Sequence, residues 1–397
     1  MGRPPRSELG VHWTLDPGTV YLNHGSFGAC PATVLEEQSR LRALLEADPV
    51  DFLVNRGAVL WREAIAAFSA FVNADPAGMT FQTNATSGVN TVLRGLALRE
   101  GDEIIVADHV YQACRNAVAY ACGRSGARLV QVPIPFQPES DEQVVERFLE
   151  AVTDRSRLAL IDTVTSPTAL RMPYEKLTRA LQDRGVDVLI DAAHGPGLIA
   201  LDLEALDAAY VTGNCHKWLC TPKGSAFLHI RRDRRQGLEP LTISHGYSAE
   251  VGSEEKFRLE FDWQGTQDPT PWLCIPRAIE FVGSLVPGGW PEVMARNHAL
   301  ALEARNLLGE TLGTGALAPA AMTSAMVAAR LPAAAEDTPR SAFLTDPLRA
   351  ALYDRFRIQA VVGPWPAHRA RYLRVSAALY NTADEYRYLA SALRSLL

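Results

Sequence analysis

Lys217 stands in Tyr210-Val211-Thr212-Gly213-Asn214-Cys215-His216-Lys217-Trp218-Leu219, where a short apolar run passes through a polar loop into a tryptophan. An amine set among apolar residues loses water without gaining an anion, and that loss lowers its pKa. A neutral lysine amine can condense with a carbonyl; the bland alternative is a solvated surface lysine. Val188-Leu189-Ile190-Asp191 ends an apolar run in an acid 26 residues before the lysine, one strand earlier. Such an acid either caps the following turn or faces a cationic ligand. Phe81-Gln82-Thr83-Asn84-Ala85-Thr86-Ser87-Gly88 places small polar residues ahead of a helical stretch. That pattern suits a phosphate at a helix N-terminus or an ordinary N-cap. No Gly-Lys-Ser/Thr follows, so it is not a P-loop, and Gly313-Thr314-Gly315 lacks the third glycine of a dinucleotide fingerprint.

Taken together, a lysine able to form a Schiff base, an acid able to keep a pyridine nitrogen protonated and a phosphate cradle are what a pyridoxal 5′-phosphate site requires. The elements that would position them are legible as alternating runs. Strands are expected at Glu103–Ala107, Arg128–Ile134, Arg157–Asp162, Asp187–Asp191, Ala209–Thr212 and Ala226–Ile230. Helices are expected around Thr86–Leu98, Gln112–Gly123, Glu142–Val152 and Tyr174–Arg184. Alternation of this kind predicts an α/β domain with a largely parallel sheet, whose ligands sit beyond the carboxyl ends of the strands. Upstream, Gly25-Ser26-Phe27-Gly28 reads as a tight loop. Pro31 opens a helix to about Glu46, and another helix spans about Val59 to Val72. Beyond Pro269 the texture changes: a helix Trp272–Leu285, a helix to about Gly309, strands Ser324–Leu331, Ile358–Val362 and Tyr372–Ser376, and a last helix from Ala383.

The division expected is an N-terminal segment 1–20 packing near the C-terminal part, a large domain 21–270 and a small α+β domain 271–397. At 397 residues, with 47% hydrophobic and 21% charged residues, the chain can bury a large core. A net charge of −6 argues against non-specific nucleic-acid binding. No apolar run reaches membrane-spanning length, and the N-terminus lacks a signal-peptide pattern, so a cytoplasmic location is the default. Six cysteines without a C-x-x-C pair read as free thiols, and nine scattered histidines suggest no metal site.

Asn84-Ala85-Thr86, Asp191-Ala192-Ala193-His194 and Cys215-His216-Lys217-Trp218 resemble the motifs of class V aminotransferase-fold enzymes. Leu22-Asn23-His24-Gly25-Ser26-Phe27-Gly28 and His216-Lys217-Trp218-Leu219 are most similar to the isopenicillin N epimerase-like branch. The resemblance runs from about Tyr21 to Asn381. It implies fold type I, with a mostly parallel seven-stranded-type sheet between helices and a smaller α+β C-terminal domain, and it implies a homodimer. It further implies that Lys217 binds the cofactor and shuttles the α-proton, that Asp191 pairs with the pyridine nitrogen, and that His194 lies near the ring hydroxyl. Tyr111 would stack on the ring. Ala85, Thr86, Asn214 and either His216 or Thr212 would bind phosphate, with Gly265 and Thr266 reaching the partner subunit's phosphate site. Arg374, in Leu373-Arg374-Val375-Ser376, would grip the substrate α-carboxylate with a bidentate fork, with Asn23 and His24 on the same side of the pocket.

Departures narrow the chemistry. Desulfurases of this fold carry a persulfide-forming cysteine shortly before the carboxylate arginine, whereas Val362-Gly363-Pro364-Trp365-Pro366-Ala367-His368-Arg369-Ala370-Arg371 has none. Cys114 and Cys215, near the expected site, read as small buried thiols. Epimerisation needs a second acid across the ring, which no residue demands. β-Elimination needs only Lys217 and a leaving group on the β-carbon, so a C–S lyase acting on an S-substituted cysteine is the leading expectation. Epimerisation, decarboxylation (with or without oxidation) and transamination are the alternatives. A silent regulator would have lost Lys217, Asp191 or Arg374, and all three are present. The pocket rim is expected to draw on Ser26, Phe27, Thr165–Thr168 and His245-Gly246-Tyr247.

Overall fold

Five apolar runs between the first helices and the Lys217 loop are too short for helices and rich in Val, Ile and Leu, and they stack as parallel strands. The computed structural model describes residues 2–314, 318–334, 346–366 and 369–397; Gly315, Ala335, Ala367 and His368 of the sequence reading lie outside them. The strands are β1 Val20–Tyr21, β2 Met79–Gln82, β3 Glu103–Ala107, β4 Arg128–Val132, β5 Ser156–Asp162, β6 Asp187–Ala192, β7 Tyr210–Asn214, β8 Ala226–Ile230, β9 Met326–Leu331, β10 Ile358–Gln359, β11 Val361–Pro364 and β12 Arg371–Ser376. A seven-stranded sheet has the order β2-β8-β7-β6-β5-β3-β4. Strands β4, β3, β5, β6 and β7 run parallel, while β8 is antiparallel to β7 and to β2. Every residue of β3, β7 and β8 is buried, as expected where helices cover both faces of a sheet.

Register places the chemistry. Asp162 lies opposite Asp191, and Asp191 opposite Thr212, so three carboxyl-terminal strand ends converge. Strand β2 is one element the sequence reading lacked. Four residues between Gly78 and a polar turn leave too short an alternation to recognise, yet all four are buried at the sheet edge. The expected tight loop at Gly25–Gly28 is instead a helical turn, His24–Phe27, closed by Gly28 at φ 69°. The expected strand Ile358–Val362 divides: β10 pairs in parallel with β1, whereas β11 pairs with β12 in the antiparallel sheet β11-β12-β9. The helix Pro347–Phe356 was not anticipated.

Packing crosses both expected domain boundaries. Val20 and Leu22 share a core with Leu308, Leu352, Leu373 and Leu393, while Leu273 and Ala278 pack with Val34, Leu41 and Phe52. Division into 1–20, 21–270 and 271–397 therefore stays a proposal about folding units. The N-terminal segment does meet the C-terminal part, for the Ser7 amide donates to Tyr380 O at 3.1 Å and the Thr382 hydroxyl to Pro5 O at 3.2 Å. Among the described residues no helix is long and apolar enough to cross a membrane.

The helix Ala85–Gly95 is seated on β7 through Gly88, where a Cβ would fall 2.0 Å from Thr212 Oγ1. That hydroxyl cannot easily move, because it donates to Phe227 O at 2.7 Å. Gly88→Ala gains about 1 kcal/mol of helix propensity, but overpacking costs about 1–3 kcal/mol, so the overlap should win. The urea midpoint is expected to fall; an unchanged or higher midpoint would contradict this seat.

Candidate active site

Lys217 follows β7 in a loop held by backbone and side chains alike. His216 Nδ1 bonds Ser225 O at 2.7 Å, and His24 Nε2 bonds Lys217 O at 3.0 Å. Gly28 presses on the same loop, where a Cβ would meet His216 O at 2.2 Å. The lysine is partly exposed along its length, but its amine is enclosed. Burial, then the Arg374 charge, lowers its pKa to about 8, against a smaller opposing pull from Asp191. The Lys217 Nζ lies 3.4 Å from His194 Nε2.

Asp191 is 2% exposed. Its Oδ1 accepts from the Ala193 amide at 2.9 Å and its Oδ2 from the Cys114 thiol at 3.2 Å. Burial raises its pKa, and these two donors and Lys217 oppose that rise. Beside it Asp162, also buried, is raised by burial and then by the Asp191 charge. Both acids have donors that favour an anion, but burial and the Asp191 charge raise Asp162 further, so Asp162 is the acid that keeps its proton. His194 stays neutral, since burial and then Lys217 hold its pKa well below the ordinary range.

At the start of the helix Ala85–Gly95, Asn84 Oδ1 accepts from the Ser87 amide and Asn214 Oδ1 from the Ala85 amide, each at 2.9 Å. The Thr86 amide between them is engaged by neither cap. Asn214 thus ties β7 to this helix terminus, a ready anion site. The Thr212 hydroxyl donates to Phe227 O and its side chain lies under Gly88, where it supports helix packing. His216 keeps Nε2 clear of the Ser225 contact, with burial lowering its pKa to about 4.

Arg374 is 4% exposed on β12. Its Nη1 donates to Ser166 O and, at 3.1 Å, to Ser166 Oγ, while Nη2 donates to Ser26 Oγ at 2.9 Å. Ser26 in turn donates to Asn23 Oδ1 at 2.6 Å. Among the described residues the buried Nε of Arg374 has no partner, an orphan donor of the kind a bound carboxylate satisfies. Asn23 therefore acts on the guanidinium through Ser26. Both ring nitrogens of His24 are engaged, Nδ1 with Tyr380 OH at 2.8 Å and Nε2 with Lys217 O, so it braces the lysine loop.

Tyr111, 43% exposed, is the N-cap residue of the helix Gln112–Ser125, with Asp191 and Arg374 as charged neighbours. Burial raises its phenol above the ordinary value, so it is protonated. Gly265, at φ 120°, lines an apolar cavity of about 890 Å³ with Trp61 and Arg258, and Thr266 is exposed. Among the described residues no hydrogen bond joins either to the Lys217 cluster. Three participants escaped the sequence reading. Asp162 ends its apolar run as Asp191 does, a signal that was present. Cys114 as a carboxylate donor and Tyr380 as the support of His24 depend on contacts that sequence spacing does not encode. Among the described residues no group of His, Cys, Asp and Glu could hold a metal ion.

The arrangement fits pyridoxal phosphate: an amine that loses its proton more readily than an ordinary lysine, a buried carboxylate with its own donors, and a helix terminus lie at neighbouring strand ends. A sequence model of the family described as Aminotransferase class-V matches residues 50–341. Isopenicillin N epimerase of Streptomyces clavuligerus is 34% identical, covering 96% of each chain. A putative L-cysteine desulfhydrase of Oryza sativa subsp. japonica is 29% identical over 99% of this chain and 85% of its own. Among solved structures, a cystine C–S lyase in complex with cysteine persulfide superposes with a TM-score of 0.78 at 20% identity. It covers 94% of this chain and 97% of that chain, a likeness of fold.

With the Lys217 pKa lowered to about 8, the neutral amine grows in as pH rises through 8 and not through the ordinary lysine value of 10.5. The rate at which stripped protein captures pyridoxal phosphate should have its midpoint near pH 8. A rate still climbing steeply toward pH 10 would contradict the burial argument.

Proposed function

Because the chain belongs to the aminotransferase class-V family, whose cofactor is pyridoxal 5′-phosphate, we propose that it catalyses β-elimination from an S-substituted L-cysteine. The observation that supports this most is the pairing of one desolvated amine, Lys217, with one buried guanidinium, Arg374, whose Nε is unengaged among the described residues. Lys217 would hold the cofactor, with Asp191 at the ring nitrogen, His194 beside the ring hydroxyl and Tyr111 over the ring. Ala85, Thr86, Asn214 and His216 would hold the phosphate, joined by Gly265 and Thr266 of a second copy in a homodimer. Bound there, the cofactor supplies an electron sink for bonds at the substrate's α-carbon.

The chain's own residues do the rest. Arg374 fixes the α-carboxylate, with Ser26 and Ser166 limiting the guanidinium to one orientation. Neutral Lys217 takes the α-proton, and the thiolate leaves the β-carbon. Water hydrolyses the remaining enamine, so that one substrate and one water give pyruvate, ammonia and one thiol. Elimination asks for a single base, which Lys217 provides. The names of two relatives, a desulfhydrase and a C–S lyase, favour the same chemistry. Persulfide transfer is disfavoured, because no cysteine occurs between Val362 and Arg371.

Epimerisation is the second reading, favoured by the 34% identity to the bacterial epimerase. It requires a donor on the other side, and Tyr111, protonated beside Asp191 and Arg374, is the residue that would serve.

Loaded protein given an S-alkyl-L-cysteine should release pyruvate and free thiol in equal amounts. An intact amino acid of inverted configuration would overturn elimination in favour of epimerisation. In Arg374→Ala, kcat/KM should fall about 10–100-fold, the effect of losing hydrogen bonds to a charged group. Arg374→Lys should recover little, since a point charge lacks the planar fork; full activity in either variant would remove Arg374 from substrate binding.

A further inference from the structure

Trp218 Nε1 lies 3.2 Å from His194 Nδ1, and both residues are buried. An indole N–H can only donate. Nδ1 must then be the acceptor, and in the neutral ring the proton sits on Nε2. That protonated nitrogen is the atom 3.4 Å from Lys217 Nζ. With a hydrogen already on Nε2, the imidazole can donate to Lys217 but cannot accept from it. An ammonium also can only donate. The contact is complementary only when the amine carries a lone pair.

We propose that Trp218 is a positioning residue that fixes the His194 tautomer and, through it, favours the neutral form of the Lys217 amine over the ammonium. The indole is itself held in place. His24 must carry its proton on Nε2 to bond Lys217 O, so its Nδ1 accepts from the Tyr380 hydroxyl. The His24 ring lies 4.8 Å from the Trp218 ring. One run of side chains, Tyr380–His24–Trp218–His194, thus reaches both the backbone and the amine of the same lysine.

Other charged and titratable groups face the amine from every side. Arg374 on β12 opposes protonation and Asp191 on β6 favours it, while Asp162 on β5 and Cys114 on the helix Gln112–Ser125 hold their own protons. His24 and His216 are held neutral by burial. Substitution of Trp218 alters none of these directly. It frees the His194 proton to move to Nδ1, so that Nε2 can accept from an ammonium.

The proposal rests on Lys217 being the cofactor lysine, and not on which substrate bond breaks. Two measurements on the full chain test it: the pH midpoint of pyridoxal phosphate capture in wild type and Trp218→Phe, and ¹⁵N NMR of histidine-labelled wild type. The His194 signal is assigned by its loss in His194→Gln. Expected are an unprotonated Nδ1 in wild-type His194 and a midpoint raised by about half to one pH unit in Trp218→Phe. A proton on Nδ1 in wild type, or an unshifted midpoint in folded Trp218→Phe, overturns the proposal. If Trp218→Phe does not fold, the NMR result alone decides. If wild type never captures the cofactor, the assignment of Lys217 fails, while the NMR result still decides the tautomer.

Discussion

An amine taken out of water must find an anion or hold its proton less tightly, and at Lys217 the chain has arranged the second outcome. The anion within reach, Asp191, already has the Ala193 amide and the Cys114 thiol as donors. Arg374 adds a positive charge that lowers the amine's pKa further. The result is a nucleophile that needs no separate base to activate it. Were Asp191 and Asp162 both anionic, their combined field would restore the ammonium, so the proton held by Asp162 belongs to the same balance.

That balance depends on backbone geometry more than on any one contact. Parallel pairing of β5, β6 and β7 brings Asp162, Asp191 and the approach to Lys217 to one edge of the sheet. The antiparallel sheet supplies Arg374 from a distant part of the chain. The turn His24–Phe27 joins the two: Ser26 receives the guanidinium, His24 receives the lysine carbonyl, and Gly28 allows the loop to approach closely. A loose hinge between the sheets would separate amine from guanidinium, and the turn His24–Phe27 braces both.

Much of this was legible beforehand because it is written in local pattern. Apolar runs ending in Asp191 and leading to Lys217 announce parallel strands and their ligand ends, and Pro31 and Asn84 mark helix starts. What was not legible depends on tertiary placement. Strand β2 is too short to show a period, and its identity comes from pairing with β8. His24 and Thr212 have polar side chains suited to a ligand, yet each is engaged by a carbonyl that only the fold brings near. Thr266 stays exposed in a single chain, and a role in a neighbouring site calls for a second copy.

The chain has four lysines, Lys176, Lys217, Lys223 and Lys256, and burial lowers the pKa of Lys223 as well as that of Lys217. Borohydride reduction of cofactor-loaded protein, followed by protease digestion and mass spectrometry, asks directly which of them carries the cofactor. A pyridoxyl mass on the peptide containing Lys217, and on that residue alone, is the expected result. The same mass on Lys223, or on no lysine at all, would contradict a site built around the enclosed amine of Lys217.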